Sequence, residues 1–117
     1  MATPADPAFR QHLQALADKY RASIPQRLAA IGAALDAAGP VPAVAQLAPL
    51  HETLHTVAGS AGSFGFHALG DEARRLEQLL RETMAGTAAF ADVAPQVRRY
   101  LDWANDDPTG ATISAHD

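Results

Sequence analysis

Apolar residues recur along this chain at steps of three and four, the spacing that gathers them on one face of an α-helix. The first run, Phe9, Leu13, Leu16, Tyr20, Ile24, Leu28, Ile31 and Leu35, predicts helix over residues 9–35. Pro25 interrupts it, because proline lacks the N–H that would bond the Arg21 carbonyl and its ring crowds that group. The pattern reads as two helices with Pro25 in the first turn of the second, or as one helix kinked there. Asp6 or Thr3 stands where it can cap the start, and Ala38-Gly39-Pro40 is a stop signal.

Pro40, Pro42 and Pro49 blur the start of the next helix. From Leu47 onward, Leu50, Leu54, Val57, Ala61 and Phe64 form a seam predicted to end near Gly65. A further helix follows on Phe66, Leu69, Ala73, Leu76 and Leu80, with Gly86 as its C-terminal stop. The last runs to about Ala104 through Phe90, Val93, Val97, Tyr100 and Leu101. Pro95 places the start of its regular part near Asp92, a residue able to cap it. Residues 105–117 are polar and unpatterned, so the expectation is one helical domain over 1–104 and a flexible tail over 105–117. The connections are short, which makes successive helices antiparallel neighbours in an up-down bundle.

Composition supports an all-α chain and narrows its partners. Apolar residues are 48% of the 117, much of that alanine, and aromatics only 6%. One core is what such a length supports. A net charge of −4 argues against nucleic acid as the main partner, because phosphate backbones call for concentrated Lys and Arg. There is no cysteine, which removes disulfides and thiolate metal sites. No run approaches the ~18 apolar residues of a membrane span, and the N-terminus lacks the features of a secretory signal. A cytoplasmic protein is expected, and a monomer, since the apolar seams are used within one bundle.

Chemistry concentrates in residues 50–66, LHETLHTVAGSAGSFGF. At about 100° per residue, Ala48, Glu52, His55, Gly59 and Gly62 share a face roughly 140° away from the apolar seam. His51 and Glu52 lie one turn before His55. The seam continues through Ala61 and Phe64, which places both glycines inside the helix, where each costs roughly 1 kcal/mol relative to alanine. What they provide is clearance: another macromolecule can approach the His55 imidazole closely. Phosphoryl transfer between proteins needs such an approach, with the ring nitrogen in line with a phosphoryl group held by the partner. A neutral imidazole, with an ordinary pKa of about 6.5, keeps a free lone pair near neutral pH.

The run from His55 through Val57, Gly59, Ser60, Ala61, Gly62, Ser63, Phe64 and Gly65 to Phe66, followed by Leu69 and Leu76-Glu77, resembles the signature of histidine phosphotransfer (HPt) domains. The resemblance covers roughly residues 40–104. It implies an antiparallel four-helix bundle with an additional N-terminal helix, and a phosphocarrier rather than an enzyme. By the same resemblance, His55 accepts a phosphoryl group from the aspartate of a response-regulator receiver domain and passes it to another receiver, within a relay that can include a hybrid histidine kinase. The chain then needs no cofactor of its own, and Mg²⁺ and most catalytic groups come with the receiver. Docking is expected around Ala48, His51, Glu52, Ala58, Gly59, Gly62 and Ser63. Most family members carry lysine three residues after the histidine; here that residue is Ala58, and no Lys or Arg occurs from 28 to 73. Arg74 and Arg75 are the candidates for phosphate support.

The same segment contains His51-Glu52-Thr53-Leu54-His55, an H-E-x-x-H pattern that on a helix can bind zinc with the glutamate as general base. The extended form needs glycine at 58 and histidine at 61, and both are alanine. Glu72 and Glu77 do not stand out by spacing as a third ligand, and His67, though within reach in sequence, reads as a polar residue in the first turn of a helix. No segment reads as a strand to hold a peptide, and the glycine run has no part in that chemistry. No metal site is therefore expected. A helical adaptor that binds a signalling partner without chemistry is the first alternative, and a zinc site built on His51-Glu52-x-x-His55 ranks behind it.

Overall fold

The computed structural model describes residues 6–109. It contains four α-helices: α1 (Pro7–Ala38), α2 (Val44–Ser60), α3 (His67–Met84) and α4 (Phe90–Asp106), with a short 3-10 helix over Ala61–Phe64 between α2 and α3. There is no strand among the described residues. Each helix packs on its neighbours in the chain, and α4 closes the ring against α1. This is the expected all-α bundle. The N-terminal segment is not a separate helix: it is the first part of a continuous 32-residue α1.

Pro25, Pro49 and Pro95 all lie inside helices rather than at their ends. Each proline is exposed, and so are Arg21, Ala45 and Ala91 four residues earlier. The carbonyls deprived of a partner thus belong to exposed residues, where water can reach them, which limits the disruption. Asp6 caps α1 by accepting from the Ala8 N–H at 3.0 Å; Thr3 lies outside the described residues. Asp92 does not cap α4. That helix starts at Phe90, leaving Asp92 in the first turn, where a carboxylate still complements the helix dipole. At its other end α4 runs two residues past Ala104 to Asp106, whose neighbour Asp107 accepts from the Thr109 N–H at 3.0 Å. The remaining tail residues, 110–117, lie outside the described residues.

The core consists of the predicted seams. Leu47, Leu50, Leu54 and Val57 of α2 meet Leu69, Ala73, Leu76 and Leu80 of α3 and Val93, Val97 and Tyr100 of α4. Tyr100 donates its hydroxyl to the Leu69 carbonyl at 2.9 Å, tying α4 to α3, and burial pushes its ionisation well above the ordinary range. The α1 seam is different. From Tyr20 to Leu35 it is buried, but Phe9, Leu13 and Leu16 are exposed. The described chain opposite α1 ends at the 3-10 helix, where Phe64 stacks on Tyr20 with ring centroids 4.9 Å apart, so among the described residues the N-terminal turns of α1 lack a neighbour of equal length.

Two glycines shape the junction between α2 and α3. Gly65 adopts a positive φ of 93° and reverses the chain after the 3-10 helix, a conformation open to glycine at little cost. Gly70 is buried in α3; a methyl group there would lie 3.3 Å from Ala61 Cβ and 3.3 Å from the Gly62 backbone nitrogen. Alanine would gain roughly 1 kcal/mol of helix propensity, yet it presses on backbone held by a fully buried neighbour. We expect Gly70→Ala to lower stability by about 1–2 kcal/mol. Thermal unfolding of the variant checks this, and a higher melting temperature would refute the close-packing argument.

Candidate functional site

The candidate site is built on the exposed face of α2 and on one buried acid of α3. Leu50, Leu54 and Val57 turn inward, so the helical period sends Ala48, Glu52, His55 and Gly59 outward, and all four are exposed. The His55 side chain keeps 64% of its surface accessible. A methyl group at Gly59 would meet nothing within 4 Å, so the space beside the imidazole is open.

Two expected docking residues need correction. Ala58 is buried in the core and is not on the face at all. Gly62 lies in the 3-10 helix rather than within α2, because the α-helical ladder ends at Ser60. It is partly buried, and a methyl there would sit 3.7 Å from His67 Nδ1. Ser63, in the same turn, is exposed. Ser60 donates its hydroxyl to the Thr56 carbonyl at 2.7 Å and lies 2.9 Å from the Tyr20 hydroxyl, which fastens the end of α2 to α1.

The anchor of His55 is Glu77. Its Oε2 contacts His55 Nδ1 in a short hydrogen bond, and the carboxylate is the one charged group in the buried core among the described residues. Three groups converge on the same oxygen: His55 Nδ1, the Arg81 guanidinium donating through Nη2 at 3.0 Å, and His51 Nε2 at 3.4 Å. The His51 nitrogen is within ion-pair distance but makes no hydrogen bond. The His51 ring lies nearly parallel to that of His55, 12° apart in plane and 6.1 Å between centroids. A carboxylate is an acceptor only, so it selects the ring tautomer that carries its proton on Nδ1 and leaves the lone pair on the outward Nε2.

Sequence reading met Glu77 as part of the Leu-Glu pair and as a rejected zinc ligand, not as the partner of His55, and it missed Arg81. A signal was present. Glu77 lies four residues after Ala73 and three before Leu80, a polar residue on an apolar stripe, and Arg81 follows at the i,i+4 spacing that favours a Glu–Arg pair. The two arginines expected to support phosphate are engaged elsewhere. Arg74 donates through Nη2 to the Ala58 carbonyl at 2.9 Å, supplying a partner near the C-terminus of α2. Arg75 bonds Glu72 at 2.6 Å and Gln96 of α4 at 2.9 Å. As for the H-E-x-x-H motif, no group of three His, Cys, Asp or Glu residues among the described residues is arranged to hold a metal ion.

Fold and site together define a four-helix module with an exposed imidazole, held from beneath by a buried carboxylate, on its second helix. The chain belongs to the Hpt domain family, whose model matches residues 15–106. At the family level this means a helical phosphocarrier module of phosphorelay signalling that works with receiver domains and kinases. No curated protein and no solved structure matches the chain significantly. Among the described residues, no helix is long and apolar enough to cross a membrane.

Proposed function

We propose that this chain is a phosphorelay carrier in which His55 Nε2 takes a phosphoryl group from a receiver-domain aspartate and yields it to another receiver. The observation that carries the reading is the hydrogen bond between His55 Nδ1 and the buried Glu77 carboxylate, beneath an imidazole that is otherwise exposed. The step balances without a proton moving. The Nε2 lone pair forms the N–P bond, the P–O bond to the aspartyl carboxyl breaks, and the carboxylate leaves with that electron pair. The product ring keeps its Nδ1 proton and gains a positive charge, which Glu77 faces directly, much as a buried acid stabilises the imidazolium of a catalytic triad. In the reverse direction the same charged ring makes Nε2 a good leaving group. The receiver brings Mg²⁺ and the groups that stabilise the transferring phosphoryl; this chain contributes the nucleophile, its tautomer and a docking face around Ala48, Glu52, His55, Gly59 and Ser63.

The test is incubation with acetyl-phosphate-loaded receiver domains and Mg²⁺, followed by intact-mass measurement. Wild type should gain one acid-labile phosphoryl group, His55→Ala none, and His51→Ala a reduced amount, since His51 touches the carboxylate but not the reacting nitrogen. No added mass with any of several receivers would point to an adaptor instead. Equal loss in both histidine variants, with zinc bound to the wild type, would restore metal chemistry.

A further inference from the structure

We infer that Arg81 is the positioning cation of the His55 site, acting through Glu77; the inference rests on the carrier reading above. The residue three after His55 is a buried alanine, Arg74 is turned to the Ala58 carbonyl, and Arg75 is held by Glu72 and Gln96. Arg81, one turn after Glu77 on α3, shares Oε2 of that carboxylate with His55 Nδ1. Its second terminal nitrogen donates to Gln78 Oε1 at 3.3 Å, which steadies the guanidinium from its own helix.

Two electrostatic demands meet here. Before transfer, the Glu77 carboxylate must stay aimed at Nδ1 although its side chain is only 5% exposed, and burying a carboxylate is costly unless it is paired. After transfer, a dianionic phosphoryl group is attached to a ring whose other nitrogen rests on that same carboxylate, so like charges are brought together across one imidazole. A guanidinium on the shared oxygen answers both. It holds the carboxylate in place from its own helix, one turn after Glu77. Because the Arg81 hydrogen bond into this site is to Glu77, its influence should vanish when the Glu77 charge is removed.

That dependence supplies the test. Acceptance rates from an acetyl-phosphate-loaded receiver and phosphohistidine lifetimes after its removal are measured for wild type, R81A, R81K, E77Q and the E77Q/R81A double variant. The His55 tautomer is read from imidazole ¹⁵N shifts in the unphosphorylated proteins. R81A should accept about three- to tenfold more slowly, the guanidinium being half exposed and its field partly screened. It should also populate the opposite tautomer, with R81K recovering most of both losses. In the E77Q background, adding R81A should change the rate by less than about twofold. Wild-type rate and tautomer in R81A, or the same loss with and without E77Q, would overturn the inference. Should wild type itself take no phosphoryl group, the carrier reading fails, and the tautomer shift in R81A still decides whether Arg81 holds Glu77.

Discussion

Glu77→Ala is expected to slow phosphoryl acceptance by His55 by about a hundredfold or more, the scale on which positioned acid–base partners act. Two losses combine. Without the acceptor beneath Nδ1, the ring is free to place its proton on Nε2, and that tautomer has no lone pair to offer the phosphorus. Without the negative charge, the positive ring formed on transfer loses the group that faces it. Glu77→Gln separates the two, because its amide oxygen still accepts from Nδ1–H while the charge is gone, so it should fall between wild type and alanine. The fold should survive either change: Arg81 is half exposed and its guanidinium regains water, while the flanking Leu76 and Leu80 remain buried. Rapid-quench transfer kinetics check this. A Glu77→Ala protein that accepts phosphoryl at the wild-type rate would show that the hydrogen bond to His55 has no part in the chemistry.

Gly59→Leu should lower activity without lowering stability. On the stability side the glycine is a cost: it sits in the last turns of α2, and nothing lies within 4 Å of where a side chain would begin. Leucine there should leave the melting temperature unchanged or raise stability by up to ~1 kcal/mol through helix propensity and reduced freedom of the unfolded chain. On the transfer side the branched side chain projects one turn from His55 on the same exposed face. Misplacing the reacting atoms by about 1 Å can cost a hundredfold, so transfer to and from receivers should fall by about that much or more. Gly59→Ala should fall less. Measuring receiver-dependent transfer alongside thermal unfolding separates a docking defect from a folding one. If Gly59→Leu transfers normally, receivers do not approach along this side of α2.

How much of this was legible beforehand differs between the fold and the site. The spacing of Leu47, Leu50, Leu54 and Val57, and of Leu69, Ala73, Leu76 and Leu80, marked the faces that the structure buries, because helical period alone decides which side chains share a side. The same period put His55 and Gly59 opposite the seam. Local rules were weaker where the chain tolerates a violation. Pro25 left open a break or a kink and Pro49 blurred the start of α2, yet both lie inside helices, since both residues are exposed and the freed carbonyls can be hydrated. The junction after Ser60 was misplaced because an apolar stripe can run from an α-helix into a 3-10 turn without a break in spacing.

By itself, then, the sequence determined the helical class, the inward faces of α2, α3 and α4, and an outward histidine with cleared space beside it, all of them consequences of neighbours within a few turns. Only the tertiary structure decided what that histidine rests on. Glu77 is 22 positions away on another helix, and its meeting with His55 depends on the depth and angle at which α3 packs on α2, an approach that Gly70 permits. It also decided that Phe9, Leu13 and Leu16 stay exposed. A period says which residues share a face, but whether anything stands opposite that face depends on where the other helices end.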